Sequence, residues 1–122
     1  MRKILLTGLL LFFAVSSAFA LEIDDSLVLN GVIIDVQSAG KNKDNLDGFL
    51  TTYTKTEALM PEAIASGYGI FLQDGYMKFD NESNAKIAEF LSQSESTLEV
   101  TVKASTGVGK DDILELHSIQ NK

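Results

Sequence analysis

Tyr68-Gly69-Ile70-Phe71-Leu72-Gln73-Asp74-Gly75-Tyr76-Met77-Lys78-Phe79-Asp80 is the stretch whose reading decides the fold. Two runs of aromatic and aliphatic residues, Tyr68–Gln73 and Tyr76–Phe79, flank Asp74-Gly75. Asp-Gly between such runs signals a tight β-hairpin, and it predicts a type I′ turn in which both central residues take positive φ. Directly after it, Asp80-Asn81-Glu82-Ser83 offers several N-capping side chains. Over Asn84–Ser92, Ile87, Phe90 and Leu91 recur at i, i+3 and i+4 with Lys86, Glu89 and Gln93 on the other side. That spacing predicts one amphipathic helix of two to three turns.

Toward the C-terminus, Leu98–Ala104 alternates apolar and polar residues, so it reads as a strand with one wet face. Ser105–Asp112 reads as a glycine-containing loop and Ile113–Ile119 as the last strand, with His117 on the same side as Glu115 and Ile119. Toward the N-terminus, Lys55–Ala65 reads as a short helical segment in which Pro61 opens one turn that Gly67 closes. Phe49–Thr54 reads as a short strand, Ser38–Gly48 as a polar loop, and Ser26–Gln37 as a long first strand. Gly31 in the middle of that strand marks a bulge or bend. The order is strand, long irregular segment, hairpin, helix, strand, strand. It predicts an all-β fold with one helix, a small five-stranded OB-like Greek-key barrel. The alternative is an α+β fold, a small antiparallel sheet with one packed helix.

Met1-Arg2-Lys3 followed by the apolar run Ile4–Val15 and by Ala18 and Ala20 before Leu21 is the pattern of a cleavable export signal. Residues 1–20 are therefore expected to be a signal peptide, and 21–122 a single OB-like domain in the periplasm or outside a bacterial cell. The apolar run is short of a membrane span, and Leu21 in place of Cys predicts no lipid anchor. Loss of Arg2 and Lys3 takes the formal charge from −7 to −9, because all 17 acidic residues lie beyond residue 20. The remaining chain has no arginine and no cysteine. A disulfide scaffold, a thiolate metal site and a cysteine nucleophile are thereby excluded.

The string Ala58–Ile70, with Tyr76–Asp80 and Gly31-Val32-Ile33-Ile34-Asp35, resembles a largely uncharacterised family of small secreted bacterial proteins with OB-like domains. The similarity covers most of residues 28–120, and it implies an OB-like fold and an extracytoplasmic location. Members carry a cysteine shortly after the strand-1 aspartate, then a histidine and two cysteines before the Ser-Gly-Tyr-Gly string. Those places are held here by Ser38, Tyr53, Glu57 and Ala63, so the resemblance implies the scaffold without metal or thiol chemistry.

Candidate sites are few. His117 is the only histidine, too few for a zinc ligand set. Asp80-x-Glu82-x-Asn84 and Asp44-Asn45-x-Asp47-Gly48 cluster oxygen donors but do not match a calcium loop, and they read as helix capping and a solvated turn. Ser66 lacks a nucleophile-elbow context, and Asp24-Asp25 and Asp111-Asp112 read as solvated charge. The acidic balance opposes nucleic acid, whose binding draws on Lys and Arg. What remains is a contact surface of Tyr68, Phe71, Tyr76 and Lys78 on the hairpin, together with the Ser38–Gly48 loop. The sequence thus predicts an exported, non-enzymatic binding or interaction domain for a protein, peptide or glycan, with no cofactor and no membrane insertion. The alternatives are a structural envelope protein, or an accessory enzyme using carboxylates such as Asp35 and Asp74 if they meet in one pocket.

Overall fold

The computed structural model describes residues 26–107 and 110–122, so the expected leader and the Asp24-Asp25 pair lie outside the described residues. The chain forms β1 (Leu27–Asp35), α1 (Val36–Lys41), α2 (Leu46–Leu50), α3 (Lys55–Ala58), α4 (Pro61–Ser66), β2 (Tyr68–Leu72) and β3 (Gly75–Phe79). Then follow α5 (Asn81–Leu91), β4 (Glu99–Gly107) and β5 (Lys110–Asn121). The five strands close into a ring in the order β1-β2-β3-β5-β4. All pairs are antiparallel except β3 with β5, which closes the ring through Lys78 opposite Ile113 and Phe79 opposite Leu114. The sheet is therefore mixed and closed, with one main helix, rather than an open antiparallel sheet.

Closure depends on the bend in β1. Its first half, Leu27–Val32, pairs with β4, and its second half, Val32–Asp35, pairs with β2. Gly31 sits at the changeover, where a Cβ would fall on the Phe71 carbonyl oxygen and 2.7 Å from Ile70 Cγ1. Only a residue without a side chain lets the two strands approach this closely.

Strand alternation and register then assign the faces. Ile33, Asp35, Tyr68, Ile70, Phe79, Val100, Val102, Ala104, Leu114 and Leu116 are all buried. The pairings Asp35 with Tyr68, Ile33 with Ile70 and Gly31 with Val100 put the β1, β2 and β4 members on the inner face. Neighbouring Ile33, Ile34 and Asp35 are buried in succession, as are Tyr68 and Ile70 with Gly69 between them, so this end of β1 and β2 is covered on both faces. The covering comes from the arm α1–α4. Its Ala39, Tyr53 and Ala58 join the core, and Tyr68 Oη donates to the Ala58 carbonyl at 2.6 Å. α5 closes the same end. It buries Ser83, Ile87 and Leu91, and Ser83 Oγ accepts the Leu116 N–H at 2.8 Å.

Several expectations hold in detail. α5 begins after Asp80, whose side chain accepts the Ser83 N–H; Pro61 opens α4, and Gly67 ends it at φ 86°. Other expectations are overturned. Within the segment read as a loop and a short strand over residues 38–54, residues 38–41 and 46–50 are helical, in α1 and α2, and no strand forms. Asp35 and Asn45 supply N-caps there by accepting the Ser38 and Gly48 N–H groups. Asp35, just ahead of the polar run, and Asn45, inside it, each satisfy a first-turn N–H, and these caps outweighed the composition. The hairpin turn is not type I′. Leu72 pairs with Gly75, leaving Gln73-Asp74 as the turn, and no non-glycine described residue has positive φ. Gly75, at φ 153°, takes the exit position where a side chain would be strained. The last two strands run longer than expected, with β4 reaching Gly107 and β5 starting at Lys110, so the expected Ser105–Asp112 loop is mostly strand.

Candidate functional site

The hairpin register separates the four predicted contact residues. Phe71 pairs with Tyr76 and Gly69 with Lys78, which sets Phe71, Tyr76 and Lys78 on the outer face of β2–β3. Tyr68, an odd number of residues from Phe71, points inward and has no exposed surface. It belongs to the core and is corrected out of the contact surface.

The other three line a cleft of about 600 Å³. Its opposite wall is the arm: Val36, Ala39 and Gly40 of α1, then Lys43, Asp44 and Asn45, then Leu46 and Asp47 of α2. The two surfaces singled out in the sequence, hairpin and Ser38–Gly48 segment, therefore face each other across one opening. Its floor is fixed in place. Tyr76 Oη donates to the Ile34 carbonyl at 2.9 Å, and its ring lies so close over Gly69 that a Cβ there would collide with it. Burial, with the Asp35 charge second, raises the Tyr76 hydroxyl above its ordinary range, so it stays a neutral donor. Lys43, Asp44, Asp47 and Lys78 are exposed, and none of their side chains forms a hydrogen bond or ion pair with another described residue. Their charged heads meet water or whatever enters the cleft.

Behind the floor lies a polar cluster that sequence reasoning did not find. Asp35 is 1% exposed; its Oδ1 accepts the Tyr53 hydroxyl at 2.5 Å and its Oδ2 accepts the Ser38 N–H at 2.9 Å. The Asp35 N–H in turn donates to Tyr53 Oη at 3.2 Å. Burial, then the bond to Asp35, drives the Tyr53 hydroxyl far above the usual tyrosine range. Burial, then the Asp35 charge, pushes Tyr68 up to about 12. The positions set apart by the family resemblance meet here: Ser38, Glu57 and Ala63 line a small cavity with Asp35, to which Tyr53 is bonded. Among the described residues, no group of three His, Cys, Asp or Glu side chains is placed to hold a metal ion.

Asp35 and Asp74 do not share a pocket. Asp35 is opposite Tyr68 at the start of β2, and Asp74 is in the turn beyond its end. Asp80 and Asn84 spend their side-chain oxygens on the Ser83 and Tyr68 N–H groups, which explains that acidic cluster as capping and anchoring. Ser66 Oγ is held by the Ala63 carbonyl at 2.9 Å. His117 instead meets Ser105, with Nε2 2.9 Å from Oγ on an exposed face. A register shift between Lys103 and Ala104 makes His117 the unpaired residue of a bulge, so Ile119 turns back to the core while His117 stays outside. That shift moves Ile119 away from His117 and Glu115, with which it was expected to share a side.

No family model, curated protein or solved structure matches the chain. Among the described residues, no helix is long and apolar enough to cross a membrane.

Proposed function

We propose that the protein is an OB-type binding domain acting outside the cytoplasm, and that it takes its ligand in the cleft between the helical arm and the β2–β3 hairpin without transforming it. One observation carries this reading: Phe71, Tyr76 and Lys78 face Lys43, Asp44 and Asp47 across a 600 Å³ opening. The outer strand 2–3 face and the connection after strand 1 are where five-stranded OB barrels engage ligands. The ring order, the bent first strand and the helix between the third and fourth strands support the OB assignment. The amino-terminal pattern of basic residues, apolar run and small residues supports export. The absence of arginine after residue 20 and the acidic balance argue against nucleic acid as the occupant.

The test uses a variant that fills the opening. Gly40 lines the cleft, and a Cβ there meets nothing within 4 Å, so Gly40→Trp adds bulk without a clash. Wild type and variant are melted against panels of oligosaccharides, peptides, divalent metals and oligonucleotides. A ligand at about 100 times its Kd adds about 2.7 kcal/mol, or roughly 10–20 °C in a domain of this size. The reading expects at least one ligand to stabilise the wild type and not Gly40→Trp. Equal stabilisation of both proteins by every active ligand would overturn it.

A further inference from the structure

From the chemistry of its walls, we infer that the cleft takes a neutral, polyhydroxylated ligand, an oligosaccharide without net charge. This rests on the reading of the cleft as the ligand site. The full chain carries −7, yet the cleft is balanced, two lysines (Lys43 and Lys78) against two aspartates (Asp44 and Asp47). A polyanion would gain from the lysines and lose to the aspartates, and a polycation the reverse. Neither gains the one-sided field that charged ligands use. A neutral ligand loses nothing to this balance. It also meets lysine and aspartate heads that form no internal hydrogen bond and are free to donate to and accept from hydroxyl groups.

Shape and polarity point to the same ligand. Sugar rings present apolar C–H faces and polar hydroxyl edges, so their sites pair an aromatic surface with a polar rim. Phe71 and Tyr76 give adjacent cross-strand rings, and Tyr76 is pinned by its bond to the Ile34 carbonyl. Rigid aromatic area of this kind is contact surface with little left to order on binding. Val36, Ala39 and Leu46 add apolar wall opposite, and the charged heads ring the mouth.

The other cavities lack this combination: the groove between α5 and the end of β5 offers one ring, Phe90, under an unbalanced rim of Lys86 against Glu89 and Glu95. The 510 Å³ opening beside α3 has Lys55 as its cation, but Lys55 Nζ is taken up by the Gln93 carbonyl and by both the carbonyl and hydroxyl of Ser96. Its aromatic residue, Tyr53, is buried and bonded to Asp35. The groove between α4 and α5 is lined by Ile64, small residues and two asparagines, with no aromatic ring.

The test compares ligands of one size and three charges: triacetylchitotriose, maltotriose and cellotriose as neutral probes, the deacetylated glucosamine trimer as cation, and trigalacturonate as anion. Calorimetric titration is run in about 50 and about 500 mM NaCl. The inference expects a neutral trisaccharide to bind at least about tenfold tighter than either charged trimer, with affinity nearly independent of salt. Phe71→Ala and Gly40→Trp should each weaken it by at least about tenfold. The second variant keeps the test decisive if the first is poorly folded. A charged trimer that binds tighter and is blocked by Gly40→Trp overturns the neutral ligand while leaving the cleft as the site. Neutral-sugar binding unaffected by Gly40→Trp, or no binding of any probe, overturns both.

Discussion

Removing one oxygen atom tests the polar cluster at the end of the ring. In Tyr53→Phe the ring keeps its place beside Phe49, whose centroid lies 5.1 Å away, but the hydroxyl between Asp35 Oδ1 and the Asp35 N–H is gone. Two costs follow. A hydrogen bond to a charged group contributes about 1.5–3 kcal/mol, and an orphaned buried N–H costs about 1–3 kcal/mol more. Taking the lower part of each range, the variant should lose about 3 kcal/mol. In a domain of this size that lowers Tm by roughly 12–24 °C. Asp35→Asn is the control. Its amide oxygen still accepts the Ser38 N–H as the α1 cap, and the loss should be smaller, about 1–2 kcal/mol. Urea unfolding followed by circular dichroism at pH 7 reads both, with the slope m checking that the unfolded state is unchanged. A Tyr53→Phe loss below about 1 kcal/mol at constant m would refute the claim that this hydroxyl holds the buried aspartate.

All three tyrosines of the chain are held neutral by burial and by Asp35, with folded pKa values raised above the ordinary 10.0. Above about pH 10 the unfolded chain releases protons that the fold retains, so each tyrosine lowers stability by about 1.4 kcal/mol per pH unit, and the loss begins there and not below. Tyrosinate absorbance should therefore rise late and together with unfolding; a gradual rise near pH 10 in a folded protein would contradict this. Ser83→Ala leaves the buried Leu116 N–H without its acceptor and should cost about 1–3 kcal/mol in urea unfolding, whereas a neutral result would place water there. Gly31→Ala drives a Cβ into the Phe71 carbonyl and should cost about 1–3 kcal/mol or prevent folding, seen as lost expression or a lowered Tm.

Legibility differed from one part of the chain to another, for physical reasons. α5 was readable because its cap, its period and its apolar stripe agree, and Val100, Val102 and Ala104 of β4 announce their buried face by alternation. In the arm, Pro61 and Gly67 marked α4, but α1 and α2 were not readable. α1 to α4 are four to six residues each, too short to show a period, and they are held by caps and by burial over β1 and β2. For the candidate site, parity alone separates Tyr68 from Phe71, so the sequence already carried the signal that both cannot face one ligand. The Tyr53–Asp35 bond spans 18 residues through the arm, and the Ser105–His117 pair depends on a bulge. Neither leaves a local trace in the sequence.

The central claim is that the cleft between arm and hairpin is where this protein meets its ligand. Amide NMR shift mapping with the strongest ligand from the melting panel tests it most directly. The account predicts the largest changes at Gly40, Lys43 and Asp44 on one wall and at Phe71, Gly75 and Tyr76 on the other, all absent in Gly40→Trp. Changes centred on the Ser105–His117 face, or on the groove between α4 and α5, would contradict it.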